Sequence, residues 1–185
     1  AYARDQERVM LAPDRGYSSL AEAFRTLRAN VRFAATDAPL RTLLITSPGQ
    51  GEGKTTVAVN LAITAARAGQ RVILVDTDLR RPSVHRYFGA DNQVGLTNVL
   101  VGERTLGDVL LPTAEDGLRL LPSGPLPPSP TELLESQTMR TVVQELLEQA
   151  DLVVFDSPPL LVAADAQVLS GELDGVLLVV EAKRT

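Results

Sequence analysis

The stretch TLLITSPGQGEGKTT, residues 42–56, carries the pattern that decides the fold. Its first five residues form a continuous apolar and β-branched run, which is typical of a strand buried on both faces. A glycine-rich run follows, and it ends in Gly-Lys-Thr where a segment with helical spacing begins. A buried strand, a glycine-rich loop and a helix in this order predict a phosphate-binding loop.

The residues of this loop suit a nucleoside triphosphate. Gly49, Gly51 and Gly53 permit backbone conformations in which successive N–H groups converge on phosphate oxygens, and the start of the following helix adds its dipole. Lys54 would reach the β- and γ-phosphates, and the Thr55 hydroxyl would bind Mg²⁺. The predicted nucleotide-binding residues are Gly49, Gln50, Gly51, Glu52, Gly53, Lys54, Thr55 and Thr56.

One position departs from the usual pattern G-x-x-x-x-G-K-[ST]. Pro48 stands where the first glycine belongs, and Gly49 follows immediately. We interpret the stretch as a variant phosphate loop. The alternative is a purely structural glycine turn between a strand and a helix.

Further apolar runs and helical spacings predict the rest of the fold. The predicted strands are residues 42–46, 72–75, 118–121, 152–155 and 176–180, and the predicted helices include residues 54–68, residues 139–150 and a helix that begins at Pro130. Strands that alternate with helices indicate a parallel sheet. We therefore expect an α/β fold, a doubly wound and mostly parallel sheet with flanking helices, of the P-loop NTPase type.

Acidic residues follow two of these strands. Asp76 and Asp78 leave the strand at residues 72–75, and Asp156 ends the strand at residues 152–155. Ligands bind at the carboxyl ends of parallel strands, so Asp76 and Asp78 are candidates for a shared Mg²⁺ shell, or for one metal contact plus one proton acceptor. Asp156 has the pattern of a Walker B aspartate, which holds Mg²⁺. Aspartates that make turns or helix caps are the alternative for each of them alone.

Basic residues follow the paired aspartates. Arg80 and Arg81 could complement phosphate charge, or they could be solvated. His85 is the only histidine. We expect it to be structural, because no second ligand or nucleophile accompanies it in the sequence.

An amphipathic helix is predicted before the first strand. Leu20, Phe24, Leu27 and Val31 recur at helical spacing within residues 18–34. Charged residues occupy the remaining faces, among them Glu22, Arg25 and Arg28. From the charge pattern alone, a solvated polar face is the expectation.

Length and composition restrict the class of protein. The 185 residues are enough for one domain, and we expect an N-terminal extension at residues 1–17 followed by a single domain at residues 18–185. Charged residues interrupt every apolar run well before it could cross a bilayer. The net charge of −5 argues against broad attraction to nucleic acid, so we expect no nucleic-acid partner. The absence of cysteine fits a cytoplasmic protein.

Taken together, the motifs resemble those of the cytoplasmic catalytic domain of bacterial tyrosine kinases, the family attached to polysaccharide co-polymerases for capsule and exopolysaccharide export. That family belongs to a deviant P-loop group that includes the MinD and ParA ATPases. The matching segments are TSPGQGEGKTT (residues 46–56, Walker A), VILVDTDLR (72–80, the additional Walker A′) and LVVFDSPP (152–159, Walker B). EAFRTLR, residues 22–28, resembles the E-x-x-R-x-x-R oligomerisation motif of the family.

The resemblance implies an ATP- and Mg²⁺-dependent protein-tyrosine kinase that autophosphorylates in trans and regulates exopolysaccharide or capsule synthesis and export. It implies Lys54, Asp76 and Asp78 as catalytic residues, with Asp76 or Asp78 as the base. The implied Mg²⁺ ligands are Thr55, Asp76, Asp78 and Asp156. A MinD-like ATPase switch and a non-catalytic nucleotide-binding scaffold are the alternatives; MinD and ParA carry a signature lysine in the loop where this chain has Gly49.

The resemblance also implies partners and a location. Through Glu22, Arg25 and Arg28 the chain would form a ring of identical copies. It would act at the inner face of the cell membrane, through a partner or activator or through a membrane segment that the sequence lacks, and on tyrosine-containing proteins. The family usually ends in a tyrosine cluster, whereas this chain has Tyr2, Tyr17 and Tyr87, so we expect that a C-terminal helix, a strand and the tyrosine tail are missing.

Overall fold

The computed structural model describes residues 19–34 and 39–182. The predicted extension at residues 1–17 therefore lies outside the described residues, as do Tyr2 and Tyr17. The helices in these ranges are α1 Ser19–Ala34, α2 Lys54–Arg67, α3 Val84–Tyr87, α4 Leu96–Leu100, α5 Leu106–Val109, α6 Pro130–Glu135, α7 Gln137–Gln149 and α8 Asp165–Ser170. The strands are β1 Thr42–Thr46, β2 Val72–Asp76, β3 Leu111–Pro112, β4 Leu118–Leu121, β5 Leu152–Asp156 and β6 Gly175–Leu178.

The strands form one sheet in the order β3-β4-β2-β5-β1-β6. Every pairing is parallel except that of β3 with β4. All residues of β1, β2 and β5 are buried, because helices cover both faces of the sheet there. The predicted doubly wound, mostly parallel sheet is confirmed.

Alternate side chains of each central strand enter two different cores. Leu44, Val153 and Phe155 belong to the core on the side of α7 and α8. Leu43 and Val154 belong to the other core, which α2 and α1 cover. Full burial of one such side chain contributes roughly 1.5–3 kcal/mol to folding, so the two cores hold the strand ends in place.

Two parts of the sheet differ from the prediction. β3 was not predicted, because two residues of which one is proline give no apolar run and no alternation. The strand predicted at residues 176–180 is observed as Gly175–Leu178, and its burial alternates. Val176 and Leu178 are each 48% exposed, whereas Leu177 packs against the core that contains α2, so the described residues cover only one face of this edge strand.

The helices begin and end close to the predicted residues. α2 ends at Arg67, and Gly69 adopts the left-handed conformation with φ +86° that terminates helices. α6 begins at Pro130, as predicted. α7 begins two residues before the predicted Met139, where the Ser136 hydroxyl accepts a hydrogen bond from the Met139 N–H.

Helix α1 is amphipathic, as predicted. Ala21 and Phe24 are buried against the core that contains α2, and Leu27 and Val31 pack at its margin. None of the described helices is long and apolar enough to cross a membrane.

Candidate nucleotide site and catalytic centre

The candidate site lies at the carboxyl ends of three adjacent strands. β5 lies between β1 and β2, so the phosphate loop after β1 is next to the acidic residues that end β5 and β2. Asp76 pairs in register with Asp156 across β2 and β5, and both side chains are fully buried. Two carboxylates at this depth require cationic or hydrogen-bonding partners.

The phosphate loop has the backbone geometry expected of an anion site. Gly51 and Gly53 have φ values of 80° and 88°, a left-handed conformation that side chains other than that of glycine rarely adopt. The Gly49 N–H donates to Oε1 of Glu52 over 2.6 Å. A loop amide thus already binds a carboxylate oxygen, which is the chemistry that a phosphate oxygen would offer.

Lys54 is the cation of the site. Its Nζ lies 3.2 Å from Oδ2 of Asp78 and 3.8 Å from Oδ1 of Asp156. Burial alone would lower the pKa of Lys54, but the attraction of Asp156 and Asp78 outweighs burial and raises it. The ammonium group therefore stays charged although most of the side chain is shielded from water.

Thr55 and Asp156 form the arrangement that best suits Mg²⁺. The Thr55 hydroxyl donates to Oδ2 of Asp156 over 2.7 Å. The other oxygen, Oδ1, is buried and accepts no hydrogen bond in the described part of the chain, and it forms an ion pair with the ammonium of Lys54. An orphaned carboxylate oxygen beside a hydroxyl fits a hard cation that takes oxygen ligands. Mg²⁺ therefore fits the residues present here.

Asp76 has a different environment. Its Oδ2 accepts from the N–H groups of Ser83 and Val84, each at 3.0 Å, and its Oδ1 accepts from the N–H of Asp78 at 3.2 Å. Burial and then repulsion from Asp156 raise the pKa of Asp76 to about 8. The three hydrogen bonds from backbone N–H groups to Asp76 hold the backbone of residues 78–84 in place.

Burial likewise raises the pKa of Asp156 to about 6, against the attraction of Lys54. Oδ2 of Asp78 accepts a hydrogen bond from the Lys54 ammonium, and Oδ1 accepts one from the N–H of Arg81 over 2.9 Å. Within the described ranges, no three acidic or imidazole side chains form a compact metal cluster. The structure thus brings Thr55 and Asp156 together, and the roles of Thr55, Asp76, Asp78 and Asp156 as Mg²⁺ ligands stay predictions.

Three contacts of this region were not predicted from the sequence. The Ser83 hydroxyl lies 3.4 Å from Oγ1 of Thr55, and the Tyr87 hydroxyl lies 2.8 Å from Oγ1 of Thr56. Arg80 is bound to the buried Asp165 through Nε and Nη2, at 2.8 and 3.1 Å. Arg80 is therefore paired with a carboxylate, whereas the sequence suggested either a contact with phosphate or a solvated side chain. No spacing or motif marks these contacts, because each joins segments that only the fold brings together.

The three residues of the predicted oligomerisation helix lie on α1. Glu22 and Arg25 form an ion pair with each other one turn apart. Arg28 is half-buried, and its Nε has no hydrogen-bond partner among the described residues. Contacts of these side chains with a second copy stay a prediction.

The glycine loop, the buried lysine and the two aspartates at neighbouring strand ends define a P-loop nucleotide-binding domain. The family described as "AAA domain" matches residues 41–184. The septum site-determining protein MinD of Pyrococcus horikoshii, solved with Mg-ADP, is similar over 75% of this chain and 57% of its own, with 26% identity and a TM-score of 0.65.

Two proteins that are more similar to this chain than MinD show which class of P-loop protein it belongs to. "Tyrosine-protein kinase YwqD" of Bacillus subtilis (strain 168) is 41% identical over 179 residues, which cover 97% of this chain and 76% of that protein. The kinase domain of Escherichia coli tyrosine kinase ETK has a TM-score of 0.88 and 34% identity, over 93% of this chain and 68% of that one. The chain belongs to the bacterial tyrosine-protein kinases, as the motifs predict.

Proposed function

We propose that this chain transfers the γ-phosphoryl group of Mg-ATP to tyrosine hydroxyls of proteins, including those of neighbouring copies, and so regulates exopolysaccharide or capsule synthesis and export. One observation carries the proposal. Lys54 Nζ lies within 4 Å of two carboxylates, that of Asp78 just after β2 and that of Asp156 at the end of β5. Lys54 directly follows a glycine loop in which the Gly49 N–H already binds a carboxylate oxygen. Family membership gives the acceptor as tyrosine.

Positioning and electrostatics supply the catalysis. The loop amides at residues 49–56 and the Lys54 ammonium would hold the triphosphate, and Thr55 and Asp156 would hold Mg²⁺. Bound Mg²⁺ neutralises charge that develops on the phosphoryl oxygens. The side chains of this site are buried or partly buried and are held by hydrogen bonds, so little reorganisation accompanies the transfer.

Asp78 is the better candidate for the base that accepts the tyrosine proton. Both oxygens of Asp76 already accept backbone N–H groups, so this side chain cannot turn toward an acceptor without releasing residues 78–84. Oδ2 of Asp78 instead faces Lys54. When the lysine binds phosphate, that oxygen becomes available to a tyrosine hydroxyl, whose ordinary pKa of about 10 makes a nearby base useful.

The assembly proposed for the chain is a ring of identical copies. Glu22, Arg25 and Arg28 of α1 would contact the neighbouring copy, where the unpartnered Nε of Arg28 would find an acceptor. A membrane-embedded co-polymerase segment or activator would hold the ring at the inner face of the cell membrane. This part of the proposal rests on the resemblance of residues 22–28 to the family motif.

A transphosphorylation assay tests the activity. A Lys54→Met chain with an added tyrosine-rich tail serves as acceptor, and the unmodified chain supplies the kinase. We expect phosphotyrosine on the inactive partner, and much less when the kinase carries alanine at Glu22, Arg25 and Arg28, because association supplies the effective concentration for transfer.

The controls separate the competing functions. The Lys54→Met chain incubated alone with Mg-ATP must stay unlabelled. Hydrolysis of ATP without label on any tyrosine would favour a MinD-like switch over a kinase. Binding of ATP without hydrolysis or transfer would leave only a nucleotide-binding scaffold.

A further inference from the structure

A basic pocket of about 530 Å³ opens beside the candidate catalytic centre. Residues 80–83, His85 and Arg86 form one side, and Asn92 and residues 124–126 form the other. None of the lining residues is acidic, although the chain as a whole has a net charge of −5. The sign of the local charge is thus opposite to that of the protein.

The pocket shares a wall with the catalytic centre. The Ser83 hydroxyl, which lines the pocket, is 3.4 Å from Oγ1 of Thr55. The N–H of Arg81 donates to Oδ1 of Asp78 over 2.9 Å, so the candidate base holds this edge of the pocket. A segment bound in the pocket would therefore lie next to the position where the γ-phosphate is expected.

Two of the three arginines keep an unbalanced positive charge. Asp165 neutralises Arg80 through two hydrogen bonds. Arg81 donates to the neutral side chain of Gln50 over 3.1 Å. Arg86 is exposed and has no ion pair among the residues that the structure describes. The pocket therefore presents two guanidinium groups, which match carboxylate geometry with paired donors.

The opposite wall is already rigid. The Asn92 amide is joined to Ser123 and Gly124 by four hydrogen bonds of 3.0–3.1 Å. At Gly95, a Cβ atom would stand only 2.2 Å from the carbonyl oxygen of Pro122, so the start of α4 packs directly against this wall. Beyond it, the Leu126 side chain is 62% exposed and gives the pocket an apolar rim. A preformed pocket loses little entropy when it binds a partner.

We propose that this pocket binds the acidic side chain of an aspartate or glutamate close to the acceptor tyrosine, so that the enzyme prefers acidic acceptor segments. The inference rests on the proposed kinase function and adds the class of substrate. The charges fit: Arg81 and Arg86 would pair with the carboxylate, and the apolar rim at Leu126 would contact the neighbouring part of the segment. The triphosphate itself has Lys54 and the loop amides on the other side of Asp78.

Paired peptides test this inference. Both contain one tyrosine, flanked in one by Asp and Glu and in the other by Asn and Gln. We expect the kcat/KM for the acidic peptide to exceed that for the amide peptide by about tenfold or more, the effect of one charged hydrogen-bonded contact. Arg86→Gln should reduce that ratio toward one. Arg71→Gln should preserve it, because Arg71 precedes β2 at the opposite end of the sheet, where it pairs with Asp151.

A binding measurement separates failure of the pocket from failure of the kinase. Fluorescein-labelled versions of the two peptides, with phenylalanine in place of tyrosine, are titrated with the chain and a non-hydrolysable Mg-ATP analogue. Tighter binding of the acidic peptide, lost in Arg86→Gln, supports the pocket even if no tyrosine is ever labelled. Equal binding of both peptides overturns it, whether or not tyrosines are phosphorylated. If Arg86→Gln weakens the binding of the ATP analogue instead, the pocket belongs to the nucleotide and the inference is wrong.

Discussion

The hydroxyl of Tyr87 lies 2.8 Å from Oγ1 of Thr56, the second threonine after the loop lysine. Tyr87 ends α3, which follows the segment that carries Asp76 and Asp78, whereas Thr56 lies in the first turn of α2. The contact therefore joins α3 to the first turn of α2. Tyr87 is half-buried, which agrees with a structural role for this tyrosine.

Removal of that hydroxyl should weaken nucleotide binding without loss of the fold. Tyr87→Phe keeps the ring and removes one hydrogen bond, which contributes about 0.5–1.5 kcal/mol. We expect the Kd for a fluorescent ATP analogue to rise by about two- to tenfold. In a double-mutant cycle with Thr56→Ala, the second change should add little to the first. Full additivity would show that the contact has no effect on binding.

Lys54→Met should abolish ATP binding. The ammonium offsets the charge of the triphosphate in a chain that is negative overall, and its loss leaves the carboxylates of Asp78 and Asp156 facing the phosphates without a cation. Titration with the fluorescent ATP analogue measures the effect, and circular dichroism confirms that the variant is folded. An unchanged affinity would contradict the assignment of the loop.

Asp156→Asn should spare much of the nucleotide binding and depress Mg²⁺-dependent turnover. The substitution removes a metal contact and leaves the phosphate loop intact. Thr55 can still donate to the amide oxygen, so the local structure is preserved. Turnover measured over a series of Mg²⁺ concentrations should show a higher requirement for the metal. A variant with wild-type turnover at every concentration would exclude Asp156 as a ligand.

Replacement of Glu22, Arg25 and Arg28 by alanine should give monomers in light scattering at a protein concentration where the unmodified chain associates. The ion pair between Glu22 and Arg25 is exposed, so its loss should cost the monomer less than about 1 kcal/mol. A urea unfolding midpoint near that of the parent chain is the control. An unchanged mass would show that α1 is not the interface.

Asp174 should make stability depend on pH below neutrality. Its Oδ2 accepts from the N–H groups of Arg41 and Thr42, at 2.9 and 2.8 Å, and joins β6 to β1. Burial would raise the pKa of Asp174, but these hydrogen bonds outweigh burial and lower it. A lowered folded-state pKa means that the stabilisation is complete well above the unfolded value of about 3.9 and is lost as the pH falls through the folded value.

Asp174→Asn should therefore be less stable than the parent at pH 7 by about 0.5 kcal/mol or less, since water screens this exposed group. The difference should shrink below about pH 4. Urea unfolding of both chains across this range measures it. Asp116→Asn, at an exposed turn, is the control and should show neither effect. A difference that grows in acid would contradict the role of the carboxylate.

Local patterns in the sequence account for most of the sheet and for the phosphate loop. The strands at residues 42–46 and 118–121 match their predicted bounds. The first is a continuous apolar and β-branched run, which is typical of a strand covered on both faces. The contact between Arg80 and Asp165 joins residues 85 positions apart, and the contact of Tyr87 with Thr56 joins residues 31 apart. Such pairs follow from the three-dimensional path of the chain, which no local spacing encodes.

The distance along the sequence between Thr55, at the start of α2, and Asp156, at the end of β5, has a consequence for biosynthesis. The two residues are 101 positions apart, and the intervening chain must be made before β5 can enter the sheet between β1 and β2. At about 5–20 residues per second, the loop with its lysine exists for about 5 to 20 s as part of a nascent chain that lacks its Walker B partner. During that interval the ribosome-bound protein has no complete ATP site, so it cannot consume nucleotide or phosphorylate its surroundings before the sheet has closed.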